Sequence, residues 1–330
     1  MTIERLPSGS YRVTQIKNGI RYRKTFDHRP TKKEAEDAIF KQMIANGENP
    51  NGALTFSQAA QLYVEMKRNV LSPSTLRDYV RFPDRLPRWF ADYEIDKLSQ
   101  IQINKVVNEL ALKKAPKTIL NYHGFISAVL GTFRPEMKIY TTLPKKAKNE
   151  PYTPSDDDVR RILAELEGTM FYIPICLACF GFRRSEILGL QPSDIDGDRV
   201  YIHRAKVLDE NRNLVEKTTK TVAGTRYVKI PMKIADMIRE QGFVYDGAPN
   251  SIVVKLEAVE KKLGIPKFSL HKLRHYFASA TEGMATQSTR KKLGGWETDE
   301  VMNYIYTHSS KAEYEQAMES VRDKLEAIIF

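Results

Sequence analysis

Cysteine is nearly absent from this chain: two in 330 residues. That excludes a disulfide-built fold and fits a reducing compartment. The two, Cys176 and Cys179, have CxxC spacing, but no second pair completes a zinc site and both sit within the apolar run Phe171–Phe182. They read as small core residues. That run is also the longest apolar stretch, and it is too short to span a bilayer. Met1 is followed by polar and charged residues rather than an apolar leader. The expectation is a soluble, cytoplasmic protein.

Positive charge is in excess. Fifty-two Lys and Arg face 41 Asp and Glu, giving a formal net charge of +11. A polyanion such as DNA or RNA is the first partner this suggests. At 42% hydrophobic over this length, the chain can bury more than one core. We see no internal repeat and no low-complexity tract.

Three segments follow, in a multidomain α+β arrangement that is mainly helical. Residues 1–50 read as a small three-stranded sheet plus one helix. Tyr11–Ile16 alternates, Asn18-Gly19 is a hairpin turn, and Ile20–Phe26 alternates again. Thr31 caps a helix running to Met43. Arg12, Arg21, Arg23 and Lys24 are candidate DNA contacts on this sheet; the alternative is an ordinary solvated charged face. Asn49-Pro-Asn-Gly52 forms a linker. Residues 53–140 are helical. Phe56, Ala59, Ala60, Tyr63 and Val64 have helical spacing, Ser72-Pro73 opens a second helix, and Ile101–Leu112 and Lys117–Phe133 are two more. Arg77 and Arg81 are candidate phosphate contacts here. Residues 138–152 read as a basic linker. The third segment, 150–330, is mostly helical with a β insertion at Val200–His203 and Tyr227–Ile230. Thr153-Pro154 opens it, and an amphipathic helix from Ser310 to Ile328 closes it, with Ser310 and Glu313 as capping box.

Taken singly, the motifs of the third segment are weak. His271-Lys-Leu-Arg-His275 puts two histidines on one helix face, but Lys272 replaces the glutamate of a zinc-protease helix and no third ligand is evident. No metal site is expected. Their order is more telling. Gly181-Phe-Arg-Arg-Ser-Glu186, Lys220-Thr-Val-Ala-Gly-Thr-Arg226, His271-Lys-Leu-Arg-His275, Leu293-Gly-Gly-Trp296 and Tyr306-Thr-His308 together resemble the catalytic domain of the tyrosine recombinases, the phage-integrase family. The first two segments resemble, more loosely, an arm-type DNA-binding domain and a helical, SAM-like core-binding domain.

The resemblance implies a site-specific recombinase that integrates or excises a mobile element, such as a viral genome, through a 3′-phosphotyrosine intermediate, with no cofactor, metal or ATP. It assigns Arg183, rather than Arg184, and Arg274 as the phosphate clamp, Glu186 as the buttress of Arg183, and His271 as proton acceptor with His275 in support. Lys220, with Lys217 as rival, protonates the leaving 5′-hydroxyl. Tyr306, with Tyr304 as rival, is the nucleophile. Trp296 stands where the family usually has histidine, and is expected to serve by packing and one indole N–H. The implied partners are double-stranded attachment sites and three further copies in a tetramer, with room for a host DNA-bending protein and an excisionase. The C-terminal helix and its apolar end Ala327–Phe330 are expected to pack on a neighbouring protomer. Within the same chemistry a chromosome-dimer resolvase and a type IB topoisomerase are alternatives; a DNA-binding regulator with a dead site is the alternative outside it.

Overall fold

The computed structural model describes residues 1–17, 19–45, 54–145, 152–218, 224–281, 284–296 and 311–330. It divides into two compact units, Met1–Ala147 and Lys148–Phe330. The boundary lies inside the basic stretch read as a linker.

The first unit begins with an antiparallel sheet, β1 (Thr2–Arg5), β2 (Tyr11–Lys17) and β3 (Ile20–Phe26), in that order. The β2–β3 register pairs Val13 with Lys24 and Thr14 with Arg23. One face therefore carries Val13 and Tyr22, which bury with Ala35, Ile39 and Met43 of helix α1 (Lys32–Ala45) in a small core. The opposite face carries Arg12, Arg21 and Arg23. Lys24 departs from the expected grouping: register places it on the Val13 face, although its side chain is exposed. Thr31 starts α1 with a reciprocal cap, its hydroxyl accepting from the Glu34 amide at 3.3 Å while the Glu34 carboxylate accepts from the Thr31 amide at 2.7 Å.

A second core in this unit is helical: α2 (Phe56–Lys67), α3 (Pro73–Arg85), the short α4 (Arg88–Ala91), α5 (Gln100–Ala111) and α6 (Pro116–Phe133). The α2 residues that bury are the five whose spacing predicts the helix: Phe56, Ala59, Ala60, Tyr63 and Val64. Ser72 caps α3 with Pro73 in its first turn. Arg77 and Arg81 on α3 are half-buried, and Arg77 lies 3.5 Å from Asp78. The stretch read as a linker is partly docked. Ile139 and Leu143 pack on the helical core, and the Tyr140 amide donates to the Gln100 side chain at 2.8 Å.

The second unit is one continuous core. Helices α7 (Asp156–Leu166), α8 (Tyr172–Cys179) and α9 (Arg184–Gly189) lead into a small sheet β4 (Ile195–Asp196), β5 (Arg199–Ile202) and β8 (Arg226–Lys229). The cap of α7 is Ser155, paired reciprocally with Asp158, rather than Thr153. Cys176 and Cys179 are fully buried and free on α8, as expected, with both thiols pushed up by burial. Between β5 and β8 runs a hairpin absent from the expected strands, β6 (Arg204–Leu208) and β7 (Leu214–Thr218). The chain ends with α10 (Met232–Gln241), α11 (Ser251–Leu263), α12 (His271–Ala280), α13 (Gln287–Gly294) and α14 (Lys311–Ile329). No described helix is long and apolar enough to cross a membrane.

Two features of this unit bear on expectation. First, α14 is docked on its own chain. Ala317, Met318, Val321, Leu325, Ile328 and Ile329 bury in the core. Ion pairs Arg199–Glu315 at 2.5 Å, Lys229–Glu319 at 2.7 Å and Arg322–Asp198 at 2.5 Å line the seam. The apolar face of α14 is covered by this core, and removing residues 311–330 uncovers it. Second, α9 meets β6 at backbone distance. A Cβ on Gly189 would lie 2.9 Å from the Ala205 Cα and 3.1 Å from its backbone nitrogen. Neither atom can swing away as a side-chain tip would. We expect Gly189→Ala to lower the stability of this unit by about 1–3 kcal/mol, read as the shift in urea midpoint; an unchanged midpoint contradicts this packing.

Candidate active site

The chemistry-bearing side chains of the second unit converge on α9, β8, α12 and the turn after α13, and charge dominates the result. Arg183 immediately precedes α9, and Glu186 sits one turn in. Glu186 reaches back to accept from the Arg183 amide at 2.8 Å and from Arg183 Nη1 at 2.5 Å. The same carboxylate accepts from Arg226, the first residue of β8, through Nη1 at 3.1 Å and Nη2 at 2.9 Å. Each oxygen therefore takes two donors. Burial alone would raise the Glu186 carboxyl, but the Arg226 charge and hydrogen bonds, and then Arg183, outweigh it and hold the group down at about 2.

Arg274, on α12, is 1% exposed. Its Nη1 donates to the Gly181 carbonyl and its guanidinium lies 4.5 Å from the Trp296 ring centroid. Its Nε and Nη2 have no hydrogen-bond partner among the described residues. Burial first, then the Arg183 and Arg226 charges, push its proton affinity down, and Glu186 offsets only part of this. A guanidinium still keeps its proton at neutral pH. Three guanidinium groups thus surround one carboxylate, an excess of two positive charges. Among them, Arg183 is open to an incoming group, with 34% of its side chain exposed against 3% for Arg226.

The turn after α13 supplies the other wall. The Gly295 carbonyl accepts from Arg183 Nη2, and the Leu293 carbonyl accepts from Arg226 Nε at 2.8 Å. A helix C-terminus favours cations there. A Cβ on Gly294 would lie 2.0 Å from Trp296 Cζ3, so the small residue is what lets the indole fold back under Arg274. Trp296 also packs on Phe277, with ring centroids 6.1 Å apart.

His271 opens α12 and is exposed at the edge of this cluster. Burial of its inner side, then Arg274, Arg183 and Lys272, lowers its pKa below the ordinary imidazole value. It is therefore neutral at pH 7 and able to accept a proton. His275 packs edge to face against it, ring centroids 5.2 Å apart, and is lowered too, by burial, Lys272, His271 and Arg274. No metal-holding group of three or more His, Cys, Asp or Glu occurs among the described residues.

Arg183, Glu186, His271, Arg274, His275 and Trp296 are thus brought together. Lys220, Tyr304 and Tyr306 lie outside the described residues, as do His308 and Ser310. The rival Lys217 lies on β7 opposite Ala205. Arg226 is the residue that sequence reasoning used only as a landmark. The signal was there: Arg226 shares its strand parity with Val228 and Ile230, both of which bury, so an arginine faces the core and must find an acid.

An arginine clamp with donors unpaired among the described residues, beside a neutral histidine, suits an oxyanion whose charge grows during reaction. This fold is that of the tyrosine recombinases. Among solved structures, the Tn1549 transposon integrase in complex with transposon right-end DNA is similar at a TM-score of 0.62 and 15% identity, over 81% of this chain and 99% of that one. A lambda integrase tetramer bound to a Holliday junction matches at a TM-score of 0.55 and 16% identity, over 92% of this chain and 98% of that one. A lambda integrase dimer bound to a core site matches at 0.53 and 17%, over 78% and 100%. At these identities the likeness is one of fold. No family model matches the sequence, and no curated protein matches it either.

Proposed function

We propose that the chain is a site-specific tyrosine recombinase of the integrase type, cutting and rejoining double-stranded DNA through a 3′-phosphotyrosine intermediate. The observation that carries this is the under-bonded Arg274 beside the half-open Arg183, in a cluster with two excess positive charges. Such a site is built for a tetrahedral phosphate bearing negative charge.

The phosphodiester enters between Arg183 and Arg274, which hold its two non-bridging oxygens. Tyr306 Oη attacks phosphorus while His271 accepts the phenol proton. The P–O5′ bond breaks, and Lys220 gives the leaving 5′-oxygen its proton. The ester formed keeps the bond's free energy, so a 5′-hydroxyl from a partner strand attacks it in reverse and releases Tyr306. His271 is suited to its part because burial, and then neighbouring cations, hold its pKa below the ordinary imidazole value. The indole N–H of Trp296 is the further donor expected at the phosphate. On this reading residues 1–50 form an arm-type DNA-binding domain using Arg12, Arg21 and Arg23, residues 53–140 a core-binding domain using Arg77 and Arg81, and residues 150–330 the catalytic domain. Four copies assemble on two duplexes.

Trapping tests the chemistry. Nicked duplexes carrying the ends of the cognate element are incubated with protein and resolved under denaturing conditions. We expect a covalent protein–DNA band with wild type and with Tyr304→Phe, and none with Tyr306→Phe. A band lost only in Tyr304→Phe moves the nucleophile by two residues. No band with wild type, despite tight binding to the same duplex, overturns the reading in favour of an inactive DNA-binding regulator.

A further inference from the structure

Arg226 makes no use of its charge at the surface. Its side chain is 3% exposed, and all its donor nitrogens are engaged inside. Nη1 and Nη2 hold both oxygens of Glu186, at 3.1 and 2.9 Å. Nε holds the Leu293 carbonyl at 2.8 Å, and Nη2 also reaches the Gly181 carbonyl at 3.4 Å. Two of these acceptors are shared with the open site. Glu186 is the partner of Arg183, and the Gly181 carbonyl is the partner of Arg274. The third, Leu293, begins the turn whose Gly295 carbonyl holds Arg183 and whose Trp296 ring lies under Arg274.

We propose that Arg226 is a positioning residue for both arginines of the clamp, acting through Glu186 and the Gly181 carbonyl without touching the substrate. This rests on the recombinase reading above. A third cation so close to the other two repels them, and the Arg226 charge contributes to lowering Arg274. Its return is control of Glu186. With Arg226 in place, the carboxylate is shared, and Arg183 spends one nitrogen on it. Without Arg226, the buried carboxylate has only Arg183 to neutralise it and draws that guanidinium into a closed two-nitrogen pair, away from the phosphate. Arg226 also opens β8, six residues after Lys220, so the same contacts anchor the strand that follows the lysine.

A merely structural arginine and a positioning arginine predict opposite signs for one double variant. In single-turnover trapping on nicked duplex, Arg226→Gln should slow covalent-band formation by about a hundredfold, the scale of a 1 Å misplacement of a reacting group. Adding Glu186→Gln to it removes the charge that captures Arg183. The double variant should then recover about tenfold relative to Arg226→Gln, while duplex affinity stays within about threefold of wild type throughout. A double variant as slow as Arg226→Gln, or slower, overturns the proposal. Should Arg226→Gln fail to melt cooperatively, Arg226→Lys decides: it keeps the charge but not the two-pronged geometry. As a folded protein it should lose about tenfold or more in rate with binding held, and a rate within about threefold of wild type overturns the proposal. A wild type that forms no covalent band at all refutes the recombinase reading, a result distinct from either.

Discussion

Arg274→Met should abolish strand cleavage and at the same time raise the melting temperature of the DNA-free protein. The two effects share a cause. Arg274 is almost fully buried, yet Nε and Nη2 have no partner among the described residues, and two further guanidinium groups crowd it. In the absence of DNA this is an expensive arrangement: a desolvated cation with donors unused. On the proposed reading, those donors are held ready for the phosphate on which charge develops. Loss of one such donor group typically costs about 10²–10³ in rate. Methionine matches the unbranched stem and makes a sulfur contact with Trp296 in place of the cation–π pair. Replacing poorly compensated buried charge with apolar volume stabilises by about 1–4 kcal/mol where it has been measured. In a unit of this size each kcal/mol shifts the melting temperature by about 2–4 °C. Thermal melts of the two proteins without DNA check the second half, and the trapping gel checks the first. A variant that melts lower than wild type while still folding cooperatively would remove the idea that the site stores this cost. Added duplex should close the gap, because it binds the folded wild type more tightly than the variant.

The parts of this fold that were legible from sequence are those where one residue's environment is set by its near neighbours. The five apolar positions of α2 predict a buried face, and those five bury. Ser72-Pro73 and Thr31 with Glu34 announce helix starts, and each makes its cap. Alternation around Asn18-Gly19 gives β2 and β3 in register. The strands β6 and β7 were not read from sequence because burial alternates weakly along them: of β6, only Ala205 buries fully and the other residues are half-buried. There the partner is not a neighbour in sequence but the Gly189 backbone. The cap of α7 slipped by two residues because Thr153 and Ser155 carry the same chemistry, and only Ser155 meets Asp158.

The site divides the same way. The resemblance to the tyrosine recombinases singles out Arg183, Glu186, His271 and Arg274 by their order along the chain, and the structure brings these four into one cluster. Their geometry depends on closures that no local pattern encodes. Arg183 reaches Gly295 across 112 positions, and Arg226 reaches Leu293 across 67. The docking of α14 is a closure of the same kind. An amphipathic face states that something covers it, and the cover here is marked by Asp198, Arg199 and Lys229, whose charges match Arg322, Glu315 and Glu319 across the seam.

Glu260→Gln should leave stability unchanged at pH 4 and raise it at pH 8.5. Glu260 lies on α11, 1% exposed, on the core side of the helix. Neither carboxylate oxygen meets hydrogen-bond geometry with a partner among the described residues. Burial pushes its pKa up to about 7; the Glu257 charge adds to this, while the nearby Phe268 amide and Lys267 offset only part. The folded chain therefore holds this proton to about pH 7, and the unfolded chain only to about 4.5. The stability this group confers is complete below the lower value and is lost as pH rises through the upper one. Glu186 works in the opposite direction, contributing above about 4.5 and losing that contribution as pH falls toward about 2. His271 and His275, lowered by burial and neighbouring cations, also cost stability on the acid side, as the unfolded chain takes up protons that the folded chain refuses. These groups are common to wild type and variant and cancel in the comparison. Glutamine has the shape of the protonated acid and no charge to lose. At one pKa unit per 1.36 kcal/mol, the gap should open between about pH 4.5 and 7 to as much as roughly 3 kcal/mol. Melting temperatures of the two proteins across that range decide the matter, and curves that run parallel would show that Glu260 is already ionised in the folded chain.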